Sequence, residues 1–327
     1  STAEATGTAV VFEAATASYI RAAFDSSNNR VVLAYQDGGN SNYGTAVVGT
    51  ISDTSISFGT PVAFAAGVGG ENSITFDSSN NKVVITYQLA ATGHGTAIVG
   101  TVDPSDNSIS FGSASAFNSA STSSINCTFD NDNNKVVIVY QDGGNSYYGT
   151  AIVGTVSGTS ISFGSEAVFE SATIYDTGCA FDSNSNKAVI AYKDAGNSNH
   201  GTAIVGTVSG TGITFGSAAV FEAAATSYSA IAFDSSNNKV IIVYQDAGNS
   251  NHGTAIVGTV SGTSISFGSA AVFNAAGTVT PRVAFDSNIN KAIIVYEDDA
   301  NSDYGTYIVG TVSGTSISFG SEIVPAA

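Results

Sequence analysis

The dipeptide Phe-Asp recurs at Phe24, Phe76, Phe129, Phe181, Phe233 and Phe285, in steps of 52, 53, 52, 52 and 52 residues. A period near 50 residues restricts the chain to architectures in which one supersecondary unit is stacked on copies of itself. Two further anchors keep the same count. Gly-Thr opens at Gly44, Gly95, Gly149, Gly201, Gly253 and Gly305, and Phe-Gly at Phe58, Phe111, Phe163, Phe215, Phe267 and Phe319.

Each copy reads as four short strands. In the fifth, residues 229–233, 239–245, 254–260 and 264–267 are rich in β-branched residues and too short for helices. The second strand is apolar throughout (Val240, Ile241, Ile242, Val243, Tyr244), as in a strand covered on both faces. The fourth alternates Ser264, Ile265, Ser266, Phe267, as in a half-exposed edge. Six four-stranded antiparallel sheets with that burial gradient predict an all-β fold, a six-bladed β-propeller occupying residues 1–327 as a single domain. Glycine inside the third strand, at Gly49, Gly100, Gly154, Gly206, Gly258 and Gly310, is expected to permit close approach of neighbouring blades. Two relatives of the stretch 216–221 lie at the chain ends, at 7–12 and 320–324, and are expected to meet in the sixth blade and lock the ring.

Charge narrows the partners. With nine Lys plus Arg against 26 Asp plus Glu, the formal charge is −17. Phosphate backbones are bound through basic groups that release counterions, so nucleic acid is excluded as a partner. Anionic membrane surfaces are disfavoured on the same ground, and no apolar run is long enough for a spanning helix, so a soluble protein without membrane insertion is expected. Cys127 and Cys179 share one register, which holds Ala22, Ile74, Ile231 and Val283 in the other copies, and so read as small buried side chains. The chain starts at Ser1 and contains no Met, which reads as a processed form or a part of something longer.

The connections sort into two faces. The first-to-second turn, Asp-Ser-Ser-Asn-Asn-Lys in its commonest form, and the third-to-fourth, Ser-Gly-Thr-Ser, are tight and repetitive. Asp25 with Arg30, Asp234 with Lys239 and their equivalents flank the first of these and are read as turn-forming Asp residues with exposed ion pairs. The opposite face carries the fourth-to-first connection, the most variable part (compare 65–71 with 171–176), and the second-to-third loop. That loop supplies Asp37, Asp142, Asp194, Asp246 and Asp298, then Asn40, Asn145, Asn197, Asn249 and Asn301, and ends on Tyr43, His94, Tyr148, His200, His252 and Tyr304. Flat hydrogen-bonding side chains beside Asp and Asn suit sugar hydroxyls and ring faces, although Tyr and His could equally cover the loop base. Its carboxylates and amides are also the hard oxygen ligands calcium prefers. The spacing is not that of an EF-hand, and the second copy lacks the Asp. Three histidines on three separate copies are poorly placed to share one zinc ion.

Catalysis requires a constellation that breaks repeat symmetry, and only Arg21 and Arg282 do so conspicuously. At one register of the first and sixth copies, they would become neighbours on ring closure and could hold an anionic ligand bidentately or pair with local carboxylates.

The runs Asn238-Lys239-Val240-Ile241-Ile242-Val243-Tyr244-Gln245-Asp246 and Gly253-Thr254-Ala255-Ile256-Val257-Gly258-Thr259-Val260 resemble repeat-bearing proteins of marine bacteriophages and bacteria, a resemblance that covers every copy and implies no assigned chemistry. In overall plan the chain is also similar to six-bladed propeller lectins. Those grip fucose with Arg, Glu and Trp, whereas this chain has no Trp and no repeated Arg; the boxes and arginine triad of sialidase propellers are absent too. The expectation is a non-enzymatic recognition module of an extracellular or virion surface, binding a glycan or cell-surface receptor, as in a phage tail or adhesin. No cofactor is expected and calcium is kept as a candidate ion. The alternatives are a self-associating structural protein of a matrix or appendage, and a metal-dependent propeller enzyme such as a lactonase.

Overall fold

The computed structural model describes residues 7–324. Among them the regular structure is strand with three-residue 3₁₀ turns and no α-helix. The fold is all-β and β-propeller-like. At each sequence repeat the same antiparallel meander forms, and in the fifth it comprises Ala219–Asp234, Lys239–Asp246, His252–Ser261 and Ser264–Phe267. Val240 to Tyr244 of its second strand are buried, as their unbroken apolar run requires.

One expectation is corrected. The variable fourth-to-first connection is not a loop in the later repeats but the leading half of a 16-residue strand. Ala219 to Ala225 pairs with the preceding third strand (Ala203↔Ala219 through His200↔Ala225), and Thr226 to Asp234 pairs with its own second strand. The fourth strand therefore bends at Gly216, whose N–H donates to Val205 at 3.0 Å, and continues along the same neighbour before crossing to the next meander. Gly216 is required there because a Cβ would fall on the Thr263 carbonyl oxygen.

The chain divides into two compact units, one of residues 7–145 and 152–165, the other of 146–151 and 166–324. The core of each is apolar and centred on second and third strands, for example Val136, Ile138 and Tyr140 with Ile152 in the first and Ile241, Val243, Ala255 and Val257 in the second. A repeated aromatic triad seals each meander. Phe221 meets Tyr244 with centroids at 5.2 Å and Phe267 at 5.9 Å, and the other copies repeat this in Phe12, Phe64, Phe117, Phe169 and Phe273. Such inclined pairs contribute roughly 0.5–1.5 kcal/mol each beyond their area.

The third-strand glycines serve a different neighbour from the one expected. A Cβ on Gly258 would stand 2.8 Å from Ile265 Cδ1 and 3.1 Å from Phe267 Cε1, both on the fourth strand of the same meander. The turn aspartates also differ in their partners. Asp25 Oδ1 accepts the N–H groups of Ser27 and Asn28, each at 3.0 Å, as an Asx turn does, while Arg30 Nε reaches Asn107 Oδ1 at 2.6 Å instead of pairing with it. Lys291 likewise donates to Thr311 Oγ1 at 2.8 Å. Cys127 and Cys179 are free and buried, and burial pushes the Cys127 thiol up to about 11.

The two terminal relatives of the crossing strand are both seated. Near the start, Phe12 packs on Tyr35 and Phe58 of the first meander. At the other end Ile323 pairs with Tyr307 on the third strand of the sixth, the register Ala271 takes opposite Ala255. No helix is long and apolar enough to cross a membrane.

Candidate functional site

The second-to-third loop is organised by its aspartate. Asp37, Asp142, Asp194, Asp246 and Asp298 end their second strands and are buried. Each carboxylate turns back to accept a backbone N–H of the following 3₁₀ turn: Asn40 at 3.1 Å, Gly144 at 2.9 Å, Asn197 at 3.2 Å, Gly248 at 2.9 Å and Ala300 at 3.1 Å. These are caps. The turn then closes through two successive left-handed residues, Ser41 and Asn42, Ser198 and Asn199, Ser250 and Asn251, or Ser302 and Asp303. Short polar side chains tolerate that conformation; the third repeat places Ser146 and Tyr147 there, with Tyr147 half exposed.

The structure does bring the Asp, Asn and Tyr/His positions together. Asp37 is the strand partner of Tyr43, Asp194 of His200, Asp246 of His252 and Asp298 of Tyr304. Asn40, Asn145, Asn197 and Asn249 are exposed at the tips, with Asn301 half-buried. Tyr43, His94, Tyr148, His200 and His252 are half-buried, and Tyr304 is exposed. The carboxylates therefore face inward while amides and rings face solvent. In the second repeat, where Leu89 replaces the Asp, the loop closes through Gly93 N–H to the Leu89 carbonyl at 2.8 Å.

A second acidic position lies behind the first, and the sequence reading missed it. Glu170 Oε2 accepts the Tyr192 hydroxyl at 3.1 Å, Glu222 that of Tyr244 at 3.1 Å, and Glu13 that of Tyr35 at 3.2 Å. Burial, then Asp194, raises the Glu170 carboxyl. Where asparagine takes this place it donates to the cap: Asn118 Nδ2 to Asp142 at 2.9 Å, Asn274 Nδ2 to Asp298 at 3.1 Å. The signal was legible, since each of these residues directly follows the first Phe of the aromatic triad, and the one repeat with Ala65 there is the one whose cap is Leu89. Among the described residues no group of three or more His, Cys, Asp or Glu side chains could hold a metal ion.

In five repeats the first strand carries a kink at a position where the residue types differ. Tyr19, Ser124, Asp176, Tyr228 and Thr280 adopt φ between 47° and 57°, and the strand register shifts around each. Bulky residues held left-handed cost of order 1–3 kcal/mol and mark places where side chains are re-aimed. Just beyond the kink, Arg21 donates to the Ile20 carbonyl at 3.0 Å and Arg282 to that of Pro281 at 2.8 Å. Arg21 belongs to the first compact unit and Arg282 to the second. Burial lowers the Arg21 pKa, and nearby Glu71, which accepts the Ile125 N–H at 3.1 Å, opposes that shift. Around the kinks Tyr19, Tyr175 and Tyr228 stand substantially exposed, and Lys193 lies beside the Tyr175 ring.

No family model matches the chain, and no curated protein does. Among solved structures, the BP39L lectin from Burkholderia pseudomallei is similar with a TM-score of 0.67 at 9% identity, over 91% of this chain and 81% of that one. A proposed oxidoreductase of the glucose dehydrogenase kind from Thermus thermophilus is similar with a TM-score of 0.56 at 9% identity, over 87% and 92%. At such identity the likeness concerns the fold.

Proposed function

We propose that the six meanders close into a six-bladed propeller that acts without catalysis as a recognition module for carbohydrate on a cell or virion surface, in the manner of an adhesin or a phage tail protein. The observation that carries this reading is the repeated loop in which a buried Asp cap holds an exposed Asn beside a Tyr or His ring. Amides and rings of that kind supply directional hydrogen bonds and flat apolar faces, the two things a sugar presents. Five such loops on one molecule would turn weak sites into avidity. The inward-facing carboxylates, engaged by turn N–H groups and tyrosine hydroxyls, support binding over acid–base chemistry. Likeness in fold to a lectin supports the carbohydrate class. Seating of both terminal relatives supports closure.

Thermal unfolding with saccharides, calcium or EDTA tests the reading, because a ligand favouring the native state raises Tm. A rise with saccharide is expected; the absence of any shift across a broad saccharide panel would overturn it.

A further inference from the structure

In three repeats the glutamine directly after the buried Tyr fastens one meander to the next. Gln36 Nε2 donates to the Val68 carbonyl, Gln88 Nε2 to that of Thr122 and Gln245 Nε2 to that of Thr278, each at 2.7 Å. The fourth repeat has Lys193 at this position. Its Nζ does not make the equivalent bond. It lies 3.5 Å from Ser227 Oγ and 6.0 Å from the centroid of the Tyr175 ring. Tyr175 is its strand partner and Tyr228 follows Ser227, and both tyrosines are substantially exposed. An ammonium has three donors, and here only one has a hydrogen-bonding partner, at the long end of the range. Two hydroxyls flanking Tyr228, Thr226 Oγ1 and Ser229 Oγ, are more than nine-tenths buried and have no hydrogen-bond partner. Buried hydroxyls left unpaired are uncommon and are commonly completed by a bound water.

From these observations we infer that Tyr175, Lys193, Ser227 and Tyr228, in the second compact unit, form a binding site for an acidic saccharide, with the sugar face on the tyrosine rings and its carboxylate or sulfate on Lys193. The inference rests on the carbohydrate reading and deepens it. A neutral sugar would be served as well by the glutamine found elsewhere, which also keeps the latch, so charge is what the exchange adds. The overall negative charge does not forbid it. Salt screens charges over about 8 Å at physiological ionic strength, so a lysine in contact with the ligand outweighs carboxylates farther away. Of the carboxylates close by in the fold, Glu170 and Asp194 are engaged by the Tyr192 hydroxyl and the Asn197 N–H, while Asp176 next to Tyr175 is the like charge a ligand has to tolerate.

The test is calorimetric titration of the intact protein with oligogalacturonate, a sulfated oligosaccharide, and neutral oligosaccharides of matched length, repeated on K193Q and on the double variant Y175A/Y228A. K193Q installs the residue other repeats use, so it folds, and its melting curve verifies that. The expected result is binding of at least one acidic saccharide, weakened by salt, with a loss of at least tenfold in K193Q and in the tyrosine variant while any neutral binding is unchanged in K193Q. Acidic binding untouched by K193Q, or binding of neutral saccharides alone, would overturn the site and leave the carbohydrate reading standing. Binding of none of these and of no wider saccharide panel would overturn both.

Discussion

Tyr192 and Glu170 are joined through a 3.1 Å hydrogen bond from the phenol to the carboxylate, and the pair repeats as Tyr244 with Glu222 and Tyr35 with Glu13. Burial first, then the neighbouring carboxylate and the bond to it, makes each phenol hard to ionise. Burial, then the neighbouring Glu170 and Asp194, raises the Tyr192 hydroxyl far above its ordinary value, and burial alone pushes Tyr87 up to about 12.

A folded-state pKa above the unfolded one contributes stability that is complete below the unfolded value and lost as pH rises through the folded one. The unfolded tyrosine value is near 10, so stability is expected to hold up to about pH 10 and then fall steeply. Tyrosinate absorbance followed against pH should show the buried phenols ionising together with loss of β circular dichroism. Smooth titration of all tyrosines in a protein that stays folded would contradict this.

Replacing Glu170 separates its two roles. E170Q keeps an acceptor for Tyr192 and removes a charge beside Asp194, so stability should be held or slightly raised at pH 7. E170A leaves a buried phenol without its acceptor and should cost about 1–3 kcal/mol. Chemical denaturation of both variants gives the comparison, and an equal loss in both would show that the charge itself is needed.

The loop aspartates are expected to report on folding before binding. D246A removes the acceptor of the Gly248 N–H and should destabilise by about 0.5–2 kcal/mol, read as a lower urea midpoint with unchanged slope. Full stability in D246A would return this carboxylate to the list of free ligand groups.

Two glycines should respond differently to the same change. G216A puts a methyl onto the Thr263 carbonyl, a backbone atom that cannot yield, and should cost about 3 kcal/mol. At Gly158 nothing lies within 4 Å and only φ of +61° opposes a side chain, so G158A should cost about 1–2 kcal/mol. Equal Tm values for the two would contradict the bend assigned to Gly216.

Much of this was readable from the repeat alone. The apolar second strands, the register of the Asp, Asn and Tyr/His loop and the Asx turns at Asp25 and its relatives follow from local pattern, because each depends on residues a few positions apart. The continuation of the fourth strand past Gly216 was not readable as strand: Ala-rich, half-exposed segments such as 222–225 carry weak β preference, and their pairing is set by the third strand of the preceding repeat. Arg30, read as the ion-pair partner of Asp25, turns out to reach Asn107, 77 residues away. The Glu–Tyr pairs lie 22 residues apart, a separation that recurs in the repeat and could have been found by asking which positions change together. Lys193 drew no attention because a lysine for a glutamine looks conservative until the Gln245 latch is seen.

The most direct test of the recognition account is a glycan array probed with the intact protein, with and without calcium. Reproducible binding to a subset of glycans, with binding of neutral glycans lost when the Asn and the Tyr or His of the loops are replaced in a protein that remains folded, is the predicted result. Silence across the whole array under both conditions would contradict it.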